Sequence, residues 1–112
     1  MPMIGLITNV TISGSARAEL ARGFEEAVAL VPGGCADKLM LKVEGESCLY
    51  FGGRDDLPCA YIWADLPGKA GGGDYAAFSG AAAQLLGRVL AIPRANVYVS
   101  VRENPFWMGD GV

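Results

Sequence analysis

Met1-Pro2-Met3-Ile4-Gly5-Leu6-Ile7-Thr8-Asn9-Val10 opens the chain. From Met3 onward it is dense in Ile, Leu, Val and Thr and carries no charge. Such a run reads as a β-strand over Met3 to Val10, and apolar residues at both parities predict burial on both faces. Pro2 stands at the threshold of that strand. An initiator methionine before so small a residue is normally removed, which would leave the proline nitrogen as a free secondary amine. A terminal amine titrates near about 8 in water, and apolar surroundings pull that value toward neutrality by disfavouring the ammonium form. The chain contains no histidine. Proton transfer at neutral pH would therefore fall to an amine, a perturbed carboxylate or a lysine, and Pro2 is the most economical candidate.

Outward from that strand, Thr11 to Ser15 is a turn cluster in which Ser13 or Ser15 can cap a helix. Leu20, Phe24, Ala27, Val28 and Val31 then recur at helical spacing, and Pro32-Gly33-Gly34 stops the helix. Lys38 to Glu44 alternates, with Leu39, Leu41 and Val43 on one face and Lys38, Met40, Lys42 and Glu44 on the other, as a half-buried strand does. Gly45-Glu46 turns into Ser47 to Phe51, and Gly52 to Leu57 is a polar loop. Pro58 to Leu66 reads as a strand with Ala60, Ile62 and Ala64 opposed to Tyr61, Trp63 and Asp65. Pro67 to Gly73 is a glycine-rich loop without the GxxxxGK[ST] spacing of a phosphate cradle. Asp74 is expected to cap a helix running to about Ile92, with Phe78, Ala82, Leu85, Leu86 and Val89 as its buried stripe. Asn96 to Arg102 is the last strand, with Val97, Val99 and Val101 opposed to Tyr98, Ser100 and Arg102.

Strand, helix, strand thus occurs twice, with corresponding elements about 57 residues apart, half the chain. Residues 1–112 read as a single domain whose pseudo-repeat halves cover about 2–56 and 58–108. A crossover through a helix makes a parallel strand pair. Two such units side by side give a four-stranded sheet with both helices on one face, an α/β (α+β) arrangement of βαββαβ order. The other face is left bare. Met40, Lys42, Tyr61, Trp63, Tyr98 and Ser100 fall on it, too aromatic for plain solvent surface and too polar for a core. Copies of the chain would cover it best, so a symmetric oligomer is expected.

Composition narrows the function classes. Hydrophobic residues are 52 % of the 112 and charged residues 19 %, rich for so small a domain and consistent with apolar surface that meets another subunit. The net charge of −3 and pI of about 4.8, with no basic cluster, argue against nucleic acid and anionic membranes as partners. No run reaches the length of a membrane span and no charged leader with an apolar stretch precedes the fold, so a cytoplasmic protein is expected. Cys35, Cys48 and Cys59 are odd in number and lack CxxC spacing, which suggests neither a disulfide framework nor a zinc site. No cofactor is called for.

The motifs Met1-Pro2-Met3, Phe51-Gly52-Gly53, Pro58-Cys59-Ala60, Gly68-Lys69-Ala70-Gly71-Gly72 and Arg94-Ala95-Asn96-Val97-Tyr98-Val99, in that order, resemble the macrophage migration inhibitory factor family of the tautomerase superfamily. The likeness covers essentially the whole chain. It implies a homotrimer with pockets between subunits, an amino-terminal proline acting as catalytic base, and keto-enol isomerisation of a small substrate such as phenylpyruvate or dopachrome. Pro2 matches that proline. Tyr98 matches a pocket tyrosine contributed by a neighbouring subunit. Ser100 stands where the family often has asparagine. Gly34 stands where the family usually has a lysine that binds the substrate carboxylate, with Lys38 four residues beyond as the candidate replacement. Pro67 occupies a position whose backbone N–H reaches substrate in the family, and proline has none. These departures imply an isomerase that is weak toward phenylpyruvate-like acids or redirected to another substrate, and they imply that Gly34→Lys would restore carboxylate binding. The resemblance also leaves open a cytokine-like binding protein with a vestigial pocket and a protein receptor, and secretion without a signal peptide as the alternative to the cytoplasm.

Overall fold

The computed structural model describes residues 2–68 and 70–108. Met1, whose removal the reading of Pro2 requires, Lys69 of the glycine-rich loop, and residues 109–112 lie outside the described residues. Four strands, β1 (Met3–Thr8), β2 (Met40–Glu44), β3 (Ala60–Leu66) and β4 (Val97–Glu103), form one mixed sheet in the order β2-β1-β3-β4. β1 is parallel to β2 and β3 is parallel to β4, and the two pairs meet along an antiparallel β1–β3 ladder. Two helices, α1 (Gly14–Val28) and α2 (Gly72–Leu90), connect the parallel partners and pack together on one face.

The alternation in each strand decides which side is buried. Ile4, Leu6 and Thr8 of β1 and Ala60, Ile62, Ala64 and Leu66 of β3 point to the helices and are buried, against Leu20, Phe24, Val28, Phe78, Ala82 and Leu86. α1 starts where Ser13 accepts a hydrogen bond from the Ala16 N–H at 3.2 Å, as an N-cap should. Gly23 lets the helices approach closely, because a Cβ there would run into Leu85. The buried Thr8 hydroxyl donates to the Cys59 carbonyl at 2.7 Å. Asn9 donates to the Leu57 carbonyl and accepts from the Cys59 N–H, so the end of β1 fixes the start of β3.

Several boundaries differ from the sequence reading. β1 stops at Thr8 because Asn9 and Val10 turn away to make those contacts and to accept from Glu46. Lys38 belongs not to β2 but to a 3-10 turn, Ala36–Lys38, that delivers the chain to Met40. Residues 47–51 form no strand of the sheet: the Ser47 N–H donates to the Thr8 carbonyl at the end of β1, and Phe51 and Arg54 close a tight turn. Gly71, not Asp74, caps α2, and the Asp74 carboxylate accepts from the Gly71 N–H at 3.2 Å, the acidic return half of a capping box.

The opposite face is uncovered within the chain. Met40, Lys42, Tyr61, Trp63, Tyr98 and Ser100 lie there, as the alternation predicts. Trp63 stacks on Tyr61 with ring centroids 5.9 Å apart. It also lies across Gly5, its neighbour on β1, where any Cβ would collide with the indole.

Candidate functional site

Pro2 is fully buried, and its carbonyl accepts the Met40 N–H at 3.0 Å, which anchors it to the start of β2. Continuing the two ladders one residue beyond Met3 places Pro2 beside Leu39 on one side and Leu66 on the other. Because β1 and β2 begin at the end of the sheet where β3 and β4 finish, four chain segments converge there. Lys38 precedes Leu39, and Pro67 follows Leu66. The structure therefore brings Pro2, Lys38 and Pro67 to one end of the sheet. Lys38 is exposed and has no ion-pair partner among the described residues.

Tyr98 and Ser100 are elsewhere. Tyr98 is level with Tyr61 and Ile7, five residues along the strand direction from Pro2, or about 17 Å at 3.3 Å per residue. It sits on the uncovered face with 64 % of its surface exposed, supported by the Phe51 ring at 5.7 Å. Ser100 lies opposite Trp63 on the same face. Tyr98 is too far along the strand to meet a small molecule held at Pro2 of the same copy, and both residues face away from the helices.

Gly34 corrects the expectation that a lysine could be grafted there. The chain folds back sharply after α1, the Gly34 N–H donates to the Val31 carbonyl at 2.8 Å, and a Cβ on Gly34 would press on the carbonyl oxygens of Val28 and Val31. A side chain is excluded by backbone, so the position cannot carry a cation without rebuilding the loop.

Other described charges at this end include Asp37 in the Lys38 turn, which accepts from the Cys35 thiol, and Asp65, Arg102 and Glu103. Arg102 is committed to Asp65 on the uncovered face at 3.0 Å. Glu103 lies on the helix side in register with Leu66. Its carboxylate oxygen stands 2.9 Å from the place a Cβ on Gly68 would take, and Gly68 has φ +91. The Tyr75 hydroxyl is buried there without a hydrogen bond of good geometry. Burial first, then the Glu103 charge, raises its phenol above the ordinary tyrosine value. Sequence reasoning missed both residues, since nothing in a helix tyrosine and a strand-end glutamate 28 positions apart announces contact. Burial likewise raises the Cys59 thiol, which suits a structural thiol better than a nucleophile. Among the described residues no group of three potential ligands could hold a metal ion.

A mixed four-stranded sheet with two helices on one face and a proline buried at the head of its first strand is a tautomerase-superfamily architecture. The chain belongs to the macrophage migration inhibitory factor family, whose model matches residues 1–108. Solved structures agree on the fold. Leishmania major MIF2 superposes with a TM-score of 0.89 at 19 % identity, over 98 % of this chain and 94 % of that one. The Prochlorococcus marinus homologue gives 0.86 at 19 %, over 97 % and 96 %. Pt0534 inactivated by 2-oxo-3-pentynoate gives 0.86 at 16 %, over 98 % and 94 %. No curated protein matches the sequence significantly.

Proposed function

We propose that the protein is a cofactor-independent keto-enol tautomerase, an isomerase of small α-keto acids or dopachrome-like molecules, with Pro2 as its general base. The observation that carries this reading is the placement of Pro2: an apolar cradle at the head of a central strand, beside an exposed lysine, in a chain of this family. Once Met1 is removed, the Pro2 nitrogen takes a proton from the carbon next to the ketone, and the C–H electrons move onto the carbonyl oxygen as an enolate. The resulting ammonium returns that proton to the oxygen, giving the enol with no net gain or loss of atoms. Lys38 binds the substrate carboxylate in place of the lysine that Gly34 excludes. Pro67 offers no N–H to the developing oxyanion, and losing one such donor can slow a reaction by about 100-fold, so turnover of phenylpyruvate is expected to be low. Tyr98 and Ser100 come from a neighbouring copy, and the bare aromatic sheet face is covered in a homotrimer.

The test combines intact mass, turnover and a covalent probe. Removal of Met1 and measurable enolisation of phenylpyruvate are expected, together with inactivation by 2-oxo-3-pentynoate, whose alkyne accepts the Pro2 nitrogen by addition with no leaving group. Peptide mapping should find one inhibitor on Pro2. Turnover that persists with Pro2 labelled, or with Met1 retained, would remove Pro2 from the mechanism. A freed, labelled Pro2 with no turnover of any acid would instead favour the cytokine-like binding protein, with its pocket vestigial.

A further inference from the structure

We propose that Glu103 is a positioning residue for the Pro2 site, acting through the turn at Pro67–Gly68. The inference builds on the tautomerase reading but stands on its own geometry. Pro2, Leu66 and Glu103 form one row across β1, β3 and β4, all three on the helix side. Two strand spacings, about 10 Å, separate the ends of that row. The chain leaving Leu66 turns immediately through Pro67 into Gly68, opposite Pro2. Gly68 takes a left-handed φ of +91, and the Glu103 side chain fills the space its own side chain would need, with Oε2 at 2.9 Å and Cβ at 3.1 Å from the Cβ position. The Asn104 N–H donates to the Leu66 carbonyl at 2.7 Å, so the backbone of Glu103 is held against the base of the turn.

The group placed to hold the carboxylate is the Tyr75 hydroxyl, which is buried and unpartnered. Tyr75 lies in the first turn of α2, with its N–H bonded to the Gly71 carbonyl at 3.2 Å. Its buried hydroxyl makes no hydrogen bond within the described residues. A buried phenol left unbonded is costly, and a small rotation of the flexible Glu103 side chain lets it accept the O–H. The end of β4, the turn after β3 and the start of α2 are then tied at one point, and the wall facing Pro2 keeps its shape. Pro67 contributes no N–H to that wall, so its geometry depends on packing and on this tie.

Two variants, Glu103→Ala and Glu103→Gln, test the assignment. In Glu103→Ala the 15N order parameter of Gly68 should fall from the rigid range, about 0.85, to below about 0.6, while amides in β1 and β3 stay unchanged. KM for phenylpyruvate should rise about 5- to 10-fold with kcat within twofold and the pH midpoint of kcat/KM in place, the pattern of lost positioning rather than lost chemistry. Glu103→Gln retains an acceptor and should restore both readouts. Its tyrosine titration by 13C NMR should move Tyr75 downward, because the negative neighbour is gone. An unchanged Gly68 order parameter in Glu103→Ala would overturn the assignment whatever the kinetics. A shifted pH midpoint with an unchanged KM would overturn it too, showing that Glu103 acts on the amine by charge. A mobile Gly68 in a protein with no tautomerase turnover would sink the enzymatic reading and leave the tie standing.

Discussion

Replacing Lys38 separates charge recognition from everything else at the Pro2 end. Lys38 lies one residue before Leu39, which continues the parallel β1–β2 register beside Pro2, and in the proposed site its ammonium comes within about 4 Å of a carboxylate bound over Pro2. At that distance two unit charges interact by about 1 kcal/mol in bulk water and about 4 kcal/mol near a protein surface. Lys38 is exposed and free of other ion pairs among the described residues, so the lower part of that range applies, about 1 to 2 kcal/mol. Lys38→Gln should therefore reduce kcat/KM for phenylpyruvate by roughly 5- to 30-fold. It should change the rate on the methyl ester by less than about twofold, since the ester has no charge to lose. The loss should also shrink as salt is raised from 0.05 to about 0.5 M, because an exposed pair is screened over about a Debye length. The assay is enol formation followed by absorbance on both substrates, across that salt series. Equal losses on acid and ester, or a salt-independent loss, would refute the reasoning and make Lys38 a structural residue of its 3-10 turn.

Other expectations follow from the same geometry. Gly34→Ala should destabilise by about 1 to 3 kcal/mol through overpacking against two carbonyls; differential scanning at equal concentrations should find Tm lowered by roughly 4 to 12 °C, and Gly34→Lys should lose stability rather than gain activity. Gly5→Ala should cost a similar amount in a wild-type background and far less beside Trp63→Ala, a non-additivity that a double-mutant cycle on urea midpoints measures directly. Pro2→Gly and Tyr98→Ala copies, each poorly active alone, should recover turnover when unfolded and refolded together, since some mixed pockets then hold both intact residues; no recovery would place Tyr98 outside the site. Sedimentation should find a species of three chains, and a stable monomer at micromolar concentration would remove both the trimer and the shared pocket.

The chain's periodicities made most of the fold legible. The alternation in Ala60–Leu66 and Val97–Glu103 announced which side chains face the helices, and the halves of the sequence announced two crossover units. Less visible were the places where a side chain or an orphan carbonyl decides the path. Thr8 and Asn9 end β1 by bonding to the backbone of residues 57 and 59, a long-range choice that local propensity does not encode. Lys38 alternates with Leu39 in sequence as a strand residue would, yet the turn begun at Cys35 claims it. Pro2 could be singled out because its chemistry is local. The obstruction at Gly34 and the Tyr75–Glu103 contact could not, because each depends on atoms brought together only by the completed fold.

The indole of Trp63 resting on Gly5 also sets an order on how this surface can change. Trp63 can shrink at any time, since nothing on β1 stands in the way of a smaller side chain. Gly5 cannot acquire a side chain until it has. Any lineage or selection that exchanges the aromatic covering for bulk on β1 must pass through a state with neither, in which the middle of the sheet face is hollow. The pair therefore acts as a one-way latch on the character of this sheet face, and variants recovered by selection should carry substitutions at Trp63 before any at Gly5.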